Sequence, residues 1–95
     1  MEDINNEELK QRIAAAETLN IIDVRETWEH EEQNIGGQNI PLGTLPHRLA
    51  EIESLKDQEV IVYCRSGNRS GQAQRYLQQQ GFSQVRNLLG GVEAY

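Results

Sequence analysis

Cys64 is the residue of this sequence best placed to do chemistry. It is the only cysteine among 95 residues, and it lies between the apolar run 60–63 and a polar segment that contains Gly67. A strand that ends in cysteine, followed by a glycine-containing turn and the start of a helix, points backbone N–H groups and the positive end of the helix dipole at the sulfur. The pKa of such a cysteine falls from about 8.5 to roughly 3.5–7.5, so the pattern predicts a thiolate at neutral pH.

The polar segment after the cysteine is a candidate cradle for an anion. Its glycine allows a turn with positive φ, its serine and asparagine side chains can donate hydrogen bonds, and its two guanidinium groups add positive charge. Such a cradle stabilises an anionic ligand or a second, negatively charged sulfur atom on the cysteine. The candidate catalytic residue is Cys64, and the candidate substrate-binding residues are Arg65, Ser66, Gly67, Asn68, Arg69 and Ser70.

Length, charge and cysteine content restrict the class of protein. The 95 residues predict one domain over residues 1–95, with a single core. A net charge of -6 disfavours nucleic acid and anionic membranes as partners. One cysteine excludes an internal disulfide, and no Cys/His cluster has metal-site spacing, so we expect no metal or other cofactor. Without a signal-like or membrane-spanning apolar stretch, the sequence predicts a cytoplasmic protein.

The N-terminal region predicts an amphipathic helix. Asn5 or Asn6 can cap its first turn by accepting a hydrogen bond from a backbone N–H. Leu9, Ile13 and Ala16 have the spacing of one helical face. We expect these three side chains to pack against the rest of the domain.

Strand and helix patterns alternate along the remaining chain. Apolar runs predict strands at 21–24, 59–63 and 85–89, and helices are predicted at 26–33, at 70–80 and along the stripe Leu45, Leu49 and Ile52. Strands separated by helices predict a parallel α/β sheet, because parallel strands need crossover connections. Ligands of open α/β sheets bind beyond the carboxyl ends of the strands, which is where Cys64 falls.

Four separated segments of this chain carry motifs that can be compared with known families: residues 22–26 with Glu29, residues 35–41, residues 64–70, and Asn87, Leu88, Gly90 and Gly91. In that order they resemble the Asp-Val-Arg segment, the Ile-x-Gly-Ala-x-Asn-Ile-Pro stretch, the active-site loop and the late Leu-x-Gly-Gly turn of the rhodanese family, the thiosulfate and persulfide sulfurtransferases, in its single-domain form. The segments follow the family's order and cover most of the chain from Leu19 onward.

The resemblance implies a parallel sheet flanked by helices on both faces and a sulfurtransferase activity. Cys64 would take a sulfur atom from thiosulfate or a similar anionic donor and pass it to a thiol or cyanide, with a protein as a further possible acceptor. Residues 65–70 would supply the cradle. Tyr95 stands where the family commonly has tryptophan, so the resemblance also implies that a final helix is missing. The oligomeric state stays open.

Two other functions stay open from the residues alone. A cysteine phosphatase or arsenate reductase also joins a cysteine at a strand end to an arginine over a helix N-terminus. Here four residues separate Cys64 from Arg69, whereas the phosphatase signature has five. The other alternative is a module that binds an anion or a protein partner through the same loop without chemistry.

Other polar and aromatic residues have structural interpretations. Asp23, Arg25 and Glu29 are expected to form an ion-pair or hydrogen-bond brace at a strand end. His30 and His47 are interpreted as surface histidines. Gln38 stands where the family usually has alanine, which predicts looser packing of that turn. The aromatic residues expected in the core or at its edge are Trp28, Tyr63 and Tyr76.

Overall fold

The computed structural model describes residues 2–95 as a four-stranded sheet with helices on both faces. The strands pair in the order β2-β1-β3-β4, and every pairing is parallel. The strands are β1 (Ile21–Asp23), β2 (Gln38–Asn39), β3 (Glu59–Tyr63) and β4 (Gln84–Asn87). The α-helices are α1 (Asn6–Ala14), α2 (Thr27–Glu32) and α3 (Asn68–Gln79), and the 3-10 helices are Leu42–His47, Leu49–Leu55 and Val92–Ala94. The predicted α/β fold is confirmed.

The side chains of β3 alternate between two apolar clusters, one on each face of the sheet. Val60 and Val62 pack into the cluster that contains α3 and the first two 3-10 helices. Ile61 and Tyr63 pack into the cluster that contains Leu9 of α1. Because strand side chains alternate with a period of two, the residue after Tyr63 faces α3.

The N-terminal helix is shorter than its sequence pattern predicts. Asn5 caps α1 as expected, since its Oδ1 accepts the N–H of Glu8 at 2.7 Å. Leu9 is buried, but Ile13 is 40% exposed. Ala16 lies beyond the helix in a left-handed conformation, with φ of 58°. The predicted three-residue apolar face was therefore wrong beyond its first member.

The other element boundaries differ from the predicted ones for local reasons. The stripe at Leu45, Leu49 and Ile52 forms two 3-10 helices, since Pro46 lies inside the first and breaks regular α-helical hydrogen bonding. Strand β2 was not predicted, because it has only two residues, both polar, and so lacks an apolar pattern. It pairs with Ile22 and Asp23 of β1. Helix α3 begins at Asn68, two residues before its predicted start.

An ion cluster connects α1 to the end of the sheet opposite Cys64. Arg86 of β4 donates hydrogen bonds to Glu8 at 2.6 Å and to Glu59 at 3.0 Å. Arg12 of α1 donates two to Glu59, at 2.9 and 2.6 Å. These contacts fix the helix against β3 and β4. Among residues 2–95, none of the helices is long and apolar enough to cross a bilayer.

Candidate active site

Cys64 lies directly after β3 and turns its sulfur toward the start of α3. The Sγ atom accepts the N–H of Gly67 at 3.1 Å and the N–H of Ser70 at 3.4 Å. The Ser70 hydroxyl lies 3.3 Å from the same atom. Cys64 is only 1% exposed, and it contacts the apolar cluster on the α3 face. The sulfur is thus enclosed, but by hydrogen-bond donors on its loop side.

These contacts change the ionisation of the cysteine. Burial alone would raise the pKa of the Cys64 thiol, because a thiolate loses solvation inside the protein. The hydroxyl and amide of Ser70 and the amides of Gly67 and Ser66 favour the anion and outweigh that effect. The pKa of Cys64 therefore lies below its usual value, in the direction that the sequence predicted.

The turn that aims these amides requires a glycine. Gly67 precedes the first residue of α3 and has φ of 106°, a conformation that a side chain disfavours. This conformation lets the helix start at Asn68, within four residues of the cysteine. The Ser70 amide in the first turn of α3, which has no partner within the helix, therefore points toward the sulfur.

The two arginines of the loop differ in their surroundings. Arg69 donates to both carboxylate oxygens of Glu29 in α2, at 2.6 and 3.0 Å. This pairing lowers the pKa of Glu29 to about 2. The side chain of Arg65 is 70% exposed, and its Nε lies 3.9 Å from Glu93. Arg65 is therefore the loop cation with more freedom to reach a ligand, whereas the charge of Arg69 is compensated.

The remaining loop side chains do not all face the sulfur. Ser70 is fully buried and contacts Cys64 as described. Ser66 and Asn68 are exposed. Their backbone positions matter for the turn, whereas their side chains extend to the surface.

Asn87 is a residue of this site that the sequence reasoning did not select. Its Oδ1 lies 2.6 Å from the Ser70 hydroxyl, and its Nδ2 donates to the carbonyl oxygen of Gly67 at 3.1 Å. It ends β4, and it pairs in register with Val62 of the neighbouring strand that leads into Cys64. Two sequence signals could have found it: its place at the end of a predicted strand region, and its place in the segment that resembles the family's late Leu-x-Gly-Gly turn.

The sequence of this chain matches one known protein family over nearly its whole length. A family model described as a rhodanese-like domain matches residues 5–95. The chain belongs to the rhodanese-like family.

Several relatives of this rhodanese-like domain are named as sulfurtransferases. It is 42% identical to a sulfurtransferase of Allochromatium vinosum, over 98% of this chain and 86% of that protein. It is 37% identical to the thiosulfate sulfurtransferase PspE of Escherichia coli, over 73% of this chain and 67% of that one. The human single-domain sulfurtransferase TSTD1 superposes with a TM-score of 0.82 at 25% identity, over 97% of this chain and 92% of that one. These similarities support sulfur transfer as the general activity.

A buried ion pair lies at the end of β1, beside the loop of residues 64–70. Arg25 donates to both oxygens of Asp23, at 3.0 to 3.2 Å through Nε and at 2.9 Å through Nη2. The predicted brace is confirmed for Asp23 and Arg25, whereas Glu29, its third predicted member, pairs with Arg69 of the loop instead. His30 was wrongly interpreted as a plain surface residue, because its Nδ1 lies 2.8 Å from Asp23 Oδ2. Asp23 is fully buried, so the guanidinium of Arg25 compensates its charge, and His30 lies within hydrogen-bond distance of the same carboxylate.

An open cleft of about 650 Å³ lies beside the loop, and Trp28 forms part of its wall. Trp28 is 65% exposed, so its predicted place in the core or at the core edge was wrong, because no residue of α2 is buried. Tyr63 is buried and Tyr76 packs partly buried against the core, as predicted. The other lining residues are Arg25, Glu29, Glu32, Gln33, Arg65, Val92 and Glu93.

The departure from the family at Gln38 does not disturb the turn in which it lies. Gln38 is exposed and directs its amide toward Glu51 at 3.3 Å, so the predicted loosening of the turn was wrong. The backbone of this turn approaches β1 closely at Gly37, where an added side-chain carbon would lie 2.5 Å from the carbonyl oxygen of Ile21.

Within residues 2–95, the His, Cys, Asp and Glu side chains form no cluster of three or more that could hold a metal.

Proposed function

We propose that this rhodanese-like domain transfers a sulfane sulfur atom through a persulfide on Cys64. The observation that carries the proposal is the convergence of two backbone amides and one hydroxyl on the Cys64 sulfur. The same donors that stabilise a thiolate also stabilise the terminal, negatively charged sulfur of a persulfide. Arg65, Ser66, Gly67, Asn68, Arg69 and Ser70 form the proposed substrate cradle.

The proposed reaction has two nucleophilic steps. The Cys64 thiolate attacks the outer sulfur of thiosulfate, a new S–S bond forms, and the original S–S bond breaks so that sulfite leaves with the electron pair. The enzyme now carries a persulfide anion. A thiolate or cyanide acceptor then attacks the outer sulfur, which leaves with the acceptor as a persulfide or thiocyanate, and the Cys64 thiolate is restored. One cysteine is sufficient for both steps.

Thiosulfate is the donor that we propose for the first step. It is a dianion, so it gains from the loop amides and from the exposed guanidinium of Arg65. The thiosulfate sulfurtransferase among the relatives supports this choice. The Glu29 contact of Arg69 reduces the positive charge available, which favours modest rather than tight donor binding.

The cleft beside Trp28 is the proposed entrance for the acceptor. Its volume of about 650 Å³ is far larger than thiosulfate needs, and it has an exposed aromatic wall next to Arg65. Such a space suits a thiol carried by a larger molecule, including a cysteine of an acceptor protein. A thiolate that must remain reduced also favours the cytoplasm as the place of action.

Sulfur transfer from thiosulfate to cyanide tests the proposed function. The wild-type protein is expected to produce thiocyanate, and Cys64→Ala is expected to lose this activity while retaining its fold. Ser83→Ala is a matched control, because Ser83 is exposed and lies at the opposite end of α3 from the loop. Equal rates in the wild-type and Cys64→Ala proteins would exclude the mechanism.

The burial of Cys64 favours one alternative function, a module that binds an anion or a protein without chemistry. Only 1% of the residue is exposed, so a donor must displace part of the loop to reach the sulfur. A binding module needs no such movement. Retention of thiosulfate or of a partner protein by a folded domain that never gains sulfur would support this alternative.

A further inference from the structure

The Ser70 hydroxyl lies close to two groups that can each accept its single hydrogen atom. Its hydroxyl oxygen lies 3.3 Å from Cys64 Sγ and 2.6 Å from Asn87 Oδ1. Both neighbours are acceptors when Cys64 is a thiolate, but a serine hydroxyl has only one hydrogen to donate. Ser70 therefore cannot donate to both at once.

The orientation of the Asn87 amide leaves little freedom in this arrangement. Its Nδ2 donates to the carbonyl oxygen of Gly67 at 3.1 Å, which directs Oδ1 toward Ser70. Ser70 is fully buried and Asn87 is 8% exposed, so bulk water does not readily replace a lost donor. The short distance to Oδ1 indicates that the hydroxyl donates to Asn87 whenever the sulfur does not need it.

Which of the two acceptors receives the Ser70 hydrogen depends on the protonation state of Cys64. In the thiol state, the S–H group donates to the Ser70 oxygen, and the Ser70 hydroxyl donates to Asn87. In the anionic state, the S–H donor is gone, and an unrotated hydroxyl would direct its lone pairs at the negative sulfur. The hydroxyl then gains by turning toward the sulfur, at the cost of its bond to Asn87.

We propose that Asn87 is a positioning residue that holds the Ser70 hydroxyl while Cys64 is a thiol and releases it to the sulfur when Cys64 is an anion. The inference rests on the proposed function, in which the anion is the reacting form. It assigns a role to a strand residue outside the loop. Asn87 competes with the sulfur for one donor, and it also stabilises the loop through Gly67.

Several charged groups surround the loop and must stay unchanged in a test of this role. Arg69 pairs with Glu29 of α2, and Arg65 approaches Glu93 of the last 3-10 helix. Asp3 accepts the backbone N–H of Asn87 at 3.0 Å. Substitution of the neutral side chains of Ser70 and Asn87 leaves all of these charges in place.

The rate of alkylation of Cys64 by iodoacetamide, measured against pH, tests the role without any sulfur donor. The proteins are the wild type, Ser70→Ala, Asn87→Ala and the double variant. Ser70→Ala is expected to raise the pKa of Cys64, since the sulfur loses a donor. Asn87→Ala is expected to lower it by about 0.5–1 pH unit, since the hydroxyl no longer breaks a hydrogen bond to serve the sulfur.

The double variant separates positioning from simple structural support. If Asn87 acts through the hydroxyl, its substitution leaves the pKa unchanged once Ser70 is alanine. An equal change in both backgrounds, or no change in either, overturns the proposal. Asn87→Leu, of similar shape but without polar atoms, is expected to lower the pKa as well and replaces Asn87→Ala if that variant does not fold. Gln72→Ala, at an exposed site of α3, is the control and is expected to match the wild type.

The two proposals fail in different ways. If the pKa of Cys64 follows the expected pattern but the protein gains no sulfur from thiosulfate, the role of Asn87 stands and the proposed function is wrong. If the protein transfers sulfur but Ser70 and Asn87 show no coupling, the proposed function stands and the positioning role is wrong.

Discussion

At the scale of single residues, Glu29 compensates the positive charge of Arg69 in the proposed substrate cradle. Its carboxylate accepts hydrogen bonds from both terminal nitrogens of Arg69, at 2.6 and 3.0 Å. The partly exposed guanidinium is consequently neutralised before any anion arrives. Donor affinity should therefore respond to Glu29 more strongly than to other acidic residues of the cleft.

Substitution of Glu29 by glutamine tests this charge control. We expect the KM for thiosulfate to fall by about 2- to 10-fold in Glu29→Gln, because Arg69 becomes available to the dianion. Glu32→Gln is the matched control, since Glu32 lines the same cleft and its loss changes the net charge equally. Steady-state kinetics in thiosulfate would contradict the account if the two variants changed KM by the same factor.

At the scale of elements, the turn between β3 and α3 determines the direction of the amides. Gly67 has φ of 106°, and Gly36 has φ of 98° in the turn after α2. A side-chain carbon at Gly67 would meet no atom closer than 3.7 Å, and at Gly36 none within 4 Å. The two sites thus carry a similar backbone constraint with little steric conflict, but only Gly67 donates to Cys64.

This pair of glycines allows a controlled substitution. We expect Gly67→Ala and Gly36→Ala to lose similar stability, about 1–2 kcal/mol each, through the strain of a positive φ. Sulfur transfer should fall at least tenfold in Gly67→Ala alone, because the amide moves away from the sulfur. Urea unfolding and initial rates give the two quantities, and equal activity in both variants would be the contrary result.

The sequence predicted features that depend on one short segment, but it did not predict contacts between residues far apart in the chain. The strand before Cys64, the turn at Gly67 and the donors of residues 67 and 70 follow from a short continuous segment. Ser70 and Asn87 are 17 positions apart, and Glu29 and Arg69 are 40 apart, so their contacts depend on how strands and helices assemble. Trp28 was misplaced because α2, one turn and a half long, buries none of its residues.

At the scale of the whole molecule, paired carboxylates predict acid sensitivity. Arg69 holds the pKa of Glu29 at about 2, and Arg12 holds the pKa of Glu59 below its usual range despite partial burial. A carboxyl whose pKa is lower in the folded state stabilises the fold above its unfolded pKa of about 4.5 and loses this contribution as the pH falls toward 2. Both pairs join separate elements, so their loss weakens the whole domain.

Unfolding experiments across the acidic range check this expectation. The free energy of unfolding should decrease as the pH falls from about 4.5 toward 2, and Glu29→Gln should decrease less because it lacks one of the titrating groups. Urea titrations at a series of pH values measure both. A wild-type protein that is as stable at pH 2.5 as at pH 7 would be inconsistent with these pairs.

The central claim is that the loop of this rhodanese-like domain stabilises a second sulfur atom on Cys64. Intact-protein mass spectrometry after incubation with thiosulfate tests it most directly, with peptide mapping to locate the modification. The account predicts the gain of one sulfur atom on Cys64, its removal by cyanide, and no gain in Cys64→Ser. A folded wild-type protein that gains no sulfur, or gains it equally after the cysteine is replaced, would contradict the account.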